Sequence, residues 1–133
     1  MHASESLWLS SDPNPWQCLS KYPKACEQVK FIDVDYMSLM EKKCDVVRNT
    51  IELNAMLTNL SIPESGKVLL RSDQYLQMGC DLRDVSELSS VLASAVDLEK
   101  CLILFTAEVS ITYMDVEASD ALIKWASKLP DGM

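Results

Sequence analysis

Four carboxylates fall where chemistry could be done. Asp33 and Asp35 close the apolar stretch Val29–Asp35, Asp81 follows the stretch Tyr75–Cys80, and Glu108 closes Cys101–Glu108. Each stretch reads as a β-strand, and each is followed by residues with helical periodicity. Strands of a parallel sheet deliver their carboxyl ends to one rim, where ligands of open α/β sheets bind. A carboxylate only accepts hydrogen bonds. An acid after the second strand of such a sheet suits a ribose diol. An acid or backbone amide one strand further on can reach an adenine edge. The set therefore suits a nucleoside. Taken singly, each acid is equally a helix cap or a solvated loop residue, and the residues alone leave both readings open.

Other chemistries lack their residues. His2 is the only histidine, so no Ser or Cys triad can be assembled around it. GxSxG, Walker A and HExxH patterns are absent, and no catalytic residue is assigned. Ser110 and Cys80, near the rim, read as turn and packing residues. Five cysteines with no CxxC, and no Cys/His cluster, point away from a metal site and toward free thiols in a reducing, cytoplasmic compartment. A net charge of −8 disfavours a nucleic-acid surface within these residues, since phosphate contacts need Lys and Arg. The twelve basic residues are scattered, with Lys42-Lys43 the only adjacent pair. No apolar run is long enough to span a membrane, and Met1–Ser11 lacks the basic start of a signal peptide.

The elements that must position the acids follow from spacing. With 133 residues and 48% hydrophobic content, one domain over residues 1–133 is expected. Residues 1–11 read as irregular or as the remnant of a strand, and a short helix spans Trp16–Tyr22 before Pro23. A helix over 37–48 turns Met37, Met40, Cys44 and Val47 inward, and one or two further helical turns occupy Ile51–Leu60. Val68–Leu70 is a short strand, paired with the Tyr75 strand through the turn Ser72-Asp73-Gln74. Asp84 with Glu87 has capping-box spacing for a helix over 85–95, whose inner face is Val85, Leu88, Val91, Leu92 and Val96. Asp115 caps a last helix over 116–128, with Ala118, Ala121, Leu122, Trp125 and Leu129 inward. The order β-α-β-(β)-α-β-α predicts a mostly parallel sheet, with the strand at 101–107 leaving an open edge.

Four segments resemble the leucine carboxyl methyltransferase family, a branch of the class I S-adenosylmethionine-dependent methyltransferases. They are FIDVDYMSLMEKK (31–43), YLQMGCDLRD (75–84), LFTAEVSITYM (104–114) and EASDALIKWAS (117–127). The resemblance implies an α/β fold, an incomplete Rossmann-like sheet with flanking helices, and S-adenosyl-L-methionine as cofactor. It implies Asp35 at the ribose, with Asp33 as the alternative. It also implies Asp81 and Leu82 at the adenine and Glu108 near the methionine part. The segments ELNAML and SGKVLLRSDQYLQMG look closest to the branch that modifies phenylalanine tRNA in wybutosine synthesis. The alternatives are the branch that methylates the C-terminal leucine of the protein phosphatase 2A catalytic subunit, and a non-catalytic remnant of the fold.

Departures from the family temper that expectation. Leu7-Trp8-Leu9-Ser10-Ser11-Asp12 stands where the family has a glycine-containing loop, although Asp12, Pro13, Pro15, Trp16 and Gln17 fit. Glycine there lets backbone approach a ligand closely. The family's upstream basic residues, its later strands and the tRNA branch's C-terminal β-propeller have no counterpart in these residues. The chain thus resembles a fragment of a methyltransferase domain. It is expected to bind the cofactor weakly on its own and to methylate nothing.

Overall fold

The computed structural model describes residues 15–106 and 114–129 in full and residues 5–10 by their backbone. Five strands form one sheet: β1 (Glu5–Ser10), β2 (Val29–Asp35), β3 (Val68–Arg71), β4 (Tyr75–Gly79) and β5 (Cys101–Thr106). The helices are α1 (Pro15–Lys21), α2 (Met37–Asn49), the single turn α3 (Ile51–Asn54), α4 (Val85–Ala95) and α5 (Val116–Lys128). The strand order is β3-β4-β2-β1-β5. All neighbours are parallel except β3 with β4. The fold is α/β, with the order of a partial Rossmann-like sheet and an antiparallel edge strand added.

The residues explain these elements. The middle of β2 and all of β4 are buried on both faces, so neither shows a simple inside–outside alternation, and both carry a buried polar residue, Asp33 and Gln77. α2 buries Met40, Cys44 and Val47, and α4 buries Leu88 and Leu92, at the three- and four-residue spacings of one helical face. Two apolar clusters result. One joins Ile32, Val34, Leu76 and Met78 of the sheet to α4 and to Leu122, Trp125 and Leu129 of the α5 region. Phe105 and Trp125 meet edge to face there, with ring centroids 5.8 Å apart. The other cluster joins Phe31, Leu70 and Tyr75 to α1 and α2, with Trp16 4.9 Å from Tyr75 ring to ring.

The β3–β4 hairpin forms where expected. Its turn is closed by Ser72 Oγ, which accepts from Tyr75 N–H at 2.9 Å and donates to Tyr75 O at 2.8 Å. Asp84 and Asp115 cap their helices, accepting from Glu87 N–H at 3.0 Å and Ala118 N–H at 2.7 Å. The reciprocal half of the capping box is not made, because Glu87 pairs instead with Lys67 at 3.2 Å.

Two expectations are corrected and one is narrowed. The Leu7–Leu9 run is no remnant: β1 lies inside the sheet between β2 and β5, in register with β2 (Trp8 with Phe31) and with β5 (Trp8 with Leu104). Its apolar run is only three residues long, which gives little local indication of a strand, and both of its partners are remote in sequence. Of the one or two helical turns expected in Ile51–Leu60, one forms, as α3. It stops at Asn54, and the chain turns through Asn59 at φ +55°. Ala121 is exposed and Ala118, Leu122, Trp125 and Leu129 are only half-buried, because α5 covers the sheet's margin and no residue of it is fully enclosed.

Candidate functional site

From β1 the sheet grows one way through β2 to β4 and the other way to β5. That reversal places a crevice beside β1 at the carboxyl ends of the strands. The chain leaves β2 at Asp35 and β4 at Gly79, and these two residues are register partners. Cys80 N–H donates to Asp35 O at 2.8 Å, so the two strand ends stay hydrogen-bonded up to the rim. Asp35 and Asp81 therefore stand at neighbouring exits.

Asp35 is half-buried, and its Oδ1 accepts from Tyr36 N–H at 2.8 Å. That bond orients the carboxylate at the start of α2, which has no side-chain cap of its own. Asp81 is exposed and gripped by Arg83, whose Nη2 lies 2.7 Å from Oδ2 and whose Nε lies 3.0 Å from Oδ1. Arg83 N–H also donates to Oδ1 at 2.9 Å. The guanidinium first, and that amide second, hold the Asp81 carboxyl below its usual range. Leu82 is half-buried and packs against the cluster under α4, so the acidic turn is anchored to the core. Glu108 lies outside the described residues, as do Ser110 and Asp12.

Asp33, the alternative to Asp35, is not at the rim. It is 2% exposed, and its Oδ2 accepts from the Tyr75 hydroxyl at 2.9 Å and from Lys43 Nζ at 3.3 Å. Gln77 Nε2 donates in turn to the Tyr75 oxygen at 3.0 Å. Period-two alternation puts Asp33 and Asp35 on one face of β2. α2 covers the earlier residue and begins just past the later one, so only Asp35 reaches the crevice.

Sequence reasoning missed two participants. Arg83 had a signal, since a donor two residues after an aspartate in a turn closes locally on its carboxylate. Met37 had none. An added Cβ on Gly79 would lie 2.5 Å from Met37 Sδ and 3.1 Å from its Cα, so α2 and the end of β4 approach as closely as glycine allows. Among the described residues no group of His, Cys, Asp or Glu could hold a metal ion, and no helix is long and apolar enough to cross a membrane.

With this geometry in place, comparison with known proteins gives a consistent result. The chain is 46% identical over 125 residues to tRNA wybutosine-synthesizing protein 4 of Gibberella zeae, which covers 92% of this chain and 12% of that protein. The like-named proteins of Neurospora crassa and Schizosaccharomyces pombe are 34% and 31% identical, each over 95% of this chain. The chain is homologous to a segment of tRNA wybutosine-synthesizing protein 4. It spans 12–19% of the length of these curated relatives. No protein-family model matches it. By their name, the relatives of tRNA wybutosine-synthesizing protein 4 act in tRNA modification.

Proposed function

We propose that this chain is the nucleoside-binding portion of an S-adenosylmethionine-dependent methyltransferase domain that acts in tRNA wybutosine synthesis. One observation carries the reading. Asp35 and Asp81 stand at adjacent strand ends, beside the point where the strand order reverses. A nucleoside cofactor offers donors in two places, the ribose diol and the exocyclic amine of adenine, and the two carboxylates are acceptors. The half-buried Asp35, with Oδ1 already on Tyr36 N–H, takes the diol through Oδ2. Asp81 takes the amine, and the apolar side chain of Leu82 beside it gives the adenine ring a surface to pack against.

The cofactor, when bound, supplies an electrophilic methyl group on a sulfonium. The chain's own contribution is positioning, which for an in-line displacement is the larger part of catalysis. Arg83 keeps Asp81 ionised and orients it: the Arg83 amide and Nε occupy Oδ1, so Oδ2, bonded by Nη2 at 2.7 Å and only sharing Nε at 3.2 Å, is the oxygen that accepts the amine. Substrate recognition belongs to parts of the protein other than this rim, and the substrate we propose is phenylalanine tRNA. The names of the relatives favour this branch over the one that methylates the protein phosphatase 2A tail.

The test is amide chemical-shift mapping of the chain with millimolar S-adenosylhomocysteine, which registers weak binding. Shifts concentrated at Asp35, Tyr36, Asp81 and Leu82, and lost in Asp35→Ala, are expected. In a full-length homologue, Asp81→Ala should weaken cofactor binding by roughly 10–150-fold, the value of one charged hydrogen bond. Shifts absent from this rim, or undiminished binding in both variants, would overturn the assignment.

A further inference from the structure

The two outer edges of the sheet are finished differently. β3 is four residues long, its register with β4 shifts between Val68 and Leu70, and it has Lys67 before it and Arg71 at its end. Its outer side is closed by Ser61, whose N–H donates to Arg71 O at 2.8 Å and whose carbonyl accepts from Arg71 N–H at 2.9 Å. Brevity, a bulge and flanking cations are devices by which an edge strand avoids pairing with another chain. β5, the other edge, has none of them. It runs six residues in unbroken register with β1, and CLILFT contains no charge, proline or glycine. Among the described residues no strand meets its outer side.

The faces of β5 are unfinished as well. Leu104 is in register with Trp8, and Trp8 with Phe31, so Leu104 and Phe31 lie on one face of the sheet. Phe31 is 1% exposed, whereas Leu104 is 57% and Leu102 45% exposed. The helices of that face cover β2 and β4 and stop short of the two leucines, which belong to neither apolar cluster. On the other face Ile103 and Phe105 are only half-buried, against an α5 that has no fully enclosed residue.

We infer that β5 is a self-pairing edge: two copies of this chain join β5 to β5, antiparallel about a two-fold axis, into one continuous sheet. An apolar ligand covers leucines but leaves the backbone groups of a sheet edge unmet, so the occupant brings a strand. A net charge of −8 makes two copies repel over most of their surface, and the uncharged β5 is where they approach without opposing like charges. Two-fold symmetry lets the same patch serve both sides. Side chains choose the register. An axis perpendicular to the sheet keeps each face on its own side, so it passes through a residue in the middle of the strand, Ile103 or Leu104. With Ile103 on the axis, Leu102 of each copy lies opposite Leu104 of the other, and Lys100 lies opposite Thr106. With Leu104 on the axis, Leu102 lies opposite Thr106 and that match is lost, so the first register is the one inferred. A six-residue edge is about 20 Å long. That is small for a permanent interface, so the dimer is weak and concentration-dependent. None of this rests on the nucleoside reading.

Sedimentation velocity of the full chain from micromolar to millimolar concentration is the test. The wild type is expected to pass from monomer to dimer and no further, since a two-fold pair uses both β5 edges. Leu104→Lys should stay monomeric throughout, with helix content and melting temperature near wild type, because Leu104 is at the surface. A wild type still monomeric at millimolar concentration overturns the inference and leaves the edge to a strand of another polypeptide. Association beyond two copies, or a dimer that survives Leu104→Lys, overturns it too. In a mixture of isotope-labelled and unlabelled chain, methyl NOEs between Leu102 of one copy and Leu104 of the other are expected, and a dimer without them overturns the register and the edge together. Should Leu104→Lys fail to fold, these NOEs decide.

Discussion

Gly79→Ala is the sharpest perturbation of the frame that holds the crevice. An alanine Cβ would meet Met37 Sδ at 2.5 Å, Met37 Cε at 2.8 Å and Met37 Cα at 3.1 Å. The two side-chain atoms can rotate away, but the Cα belongs to the first turn of α2 and moves only with the helix. Met40, Cys44 and Val47 fix that helix from below, so the strain is shared between a Met37 rotamer and a small displacement of α2. Overpacking of this kind costs about 1–3 kcal/mol. For a chain of this length that lowers the melting temperature by roughly 3–6 °C per kcal/mol. Met37→Ala removes the two worst contacts and leaves only the one at 3.1 Å, so the double variant should recover about half or more of the loss, a coupling of roughly 0.5–2 kcal/mol. Thermal and urea unfolding of the wild type, both single variants and the double variant give the cycle. A Gly79→Ala protein within about 0.5 kcal/mol of wild type, or strictly additive variants, would refute the close approach of α2 to β4. The rim should respond as well, because Gly79 pairs with Asp35 and Cys80 N–H bonds Asp35 O.

Further predictions concern single groups. Asp84→Ala and Asp115→Ala should each lose about 1 kcal/mol of stability in chemical denaturation, while the Asn variants stay close to wild type, because each carboxylate accepts an amide of the first helical turn. Arg83→Ala should raise the Asp81 pKa toward the ordinary carboxylate value by NMR titration. In the wild type this group's folded pKa is depressed, so any stability it contributes is present above the unfolded value and lost as pH falls through the folded one. The Cys80 thiol is pushed up to about 12, chiefly by burial and then by the Glu87 charge. Alkylation at neutral pH should therefore spare Cys80 until the chain unfolds, and rapid labelling of native Cys80 would contradict that environment.

Much of the architecture was legible because its signals are local. Helical spacing placed α2, α4 and α5 to within a residue or two, and the acids at 84 and 115 marked two helix starts. The serine-containing turn announced the β3–β4 hairpin. The acids after β2 and β4 were likewise visible as strand-end residues, since a strand and its exit can be read without knowing the neighbours. What the tertiary structure alone decided is everything that depends on partners remote in the chain. β1 became an interior strand because parallel pairing joins it to residues 23 and 96 positions away, and no local pattern encodes such pairing. Asp33 and Asp35 are indistinguishable by alternation, yet α2 buries one and leaves the other at the rim. Gln77 reads as an ordinary polar residue in a strand. Only packing under α2 makes it the buried partner of Asp33, because burial belongs to the assembled layers and not to the strand.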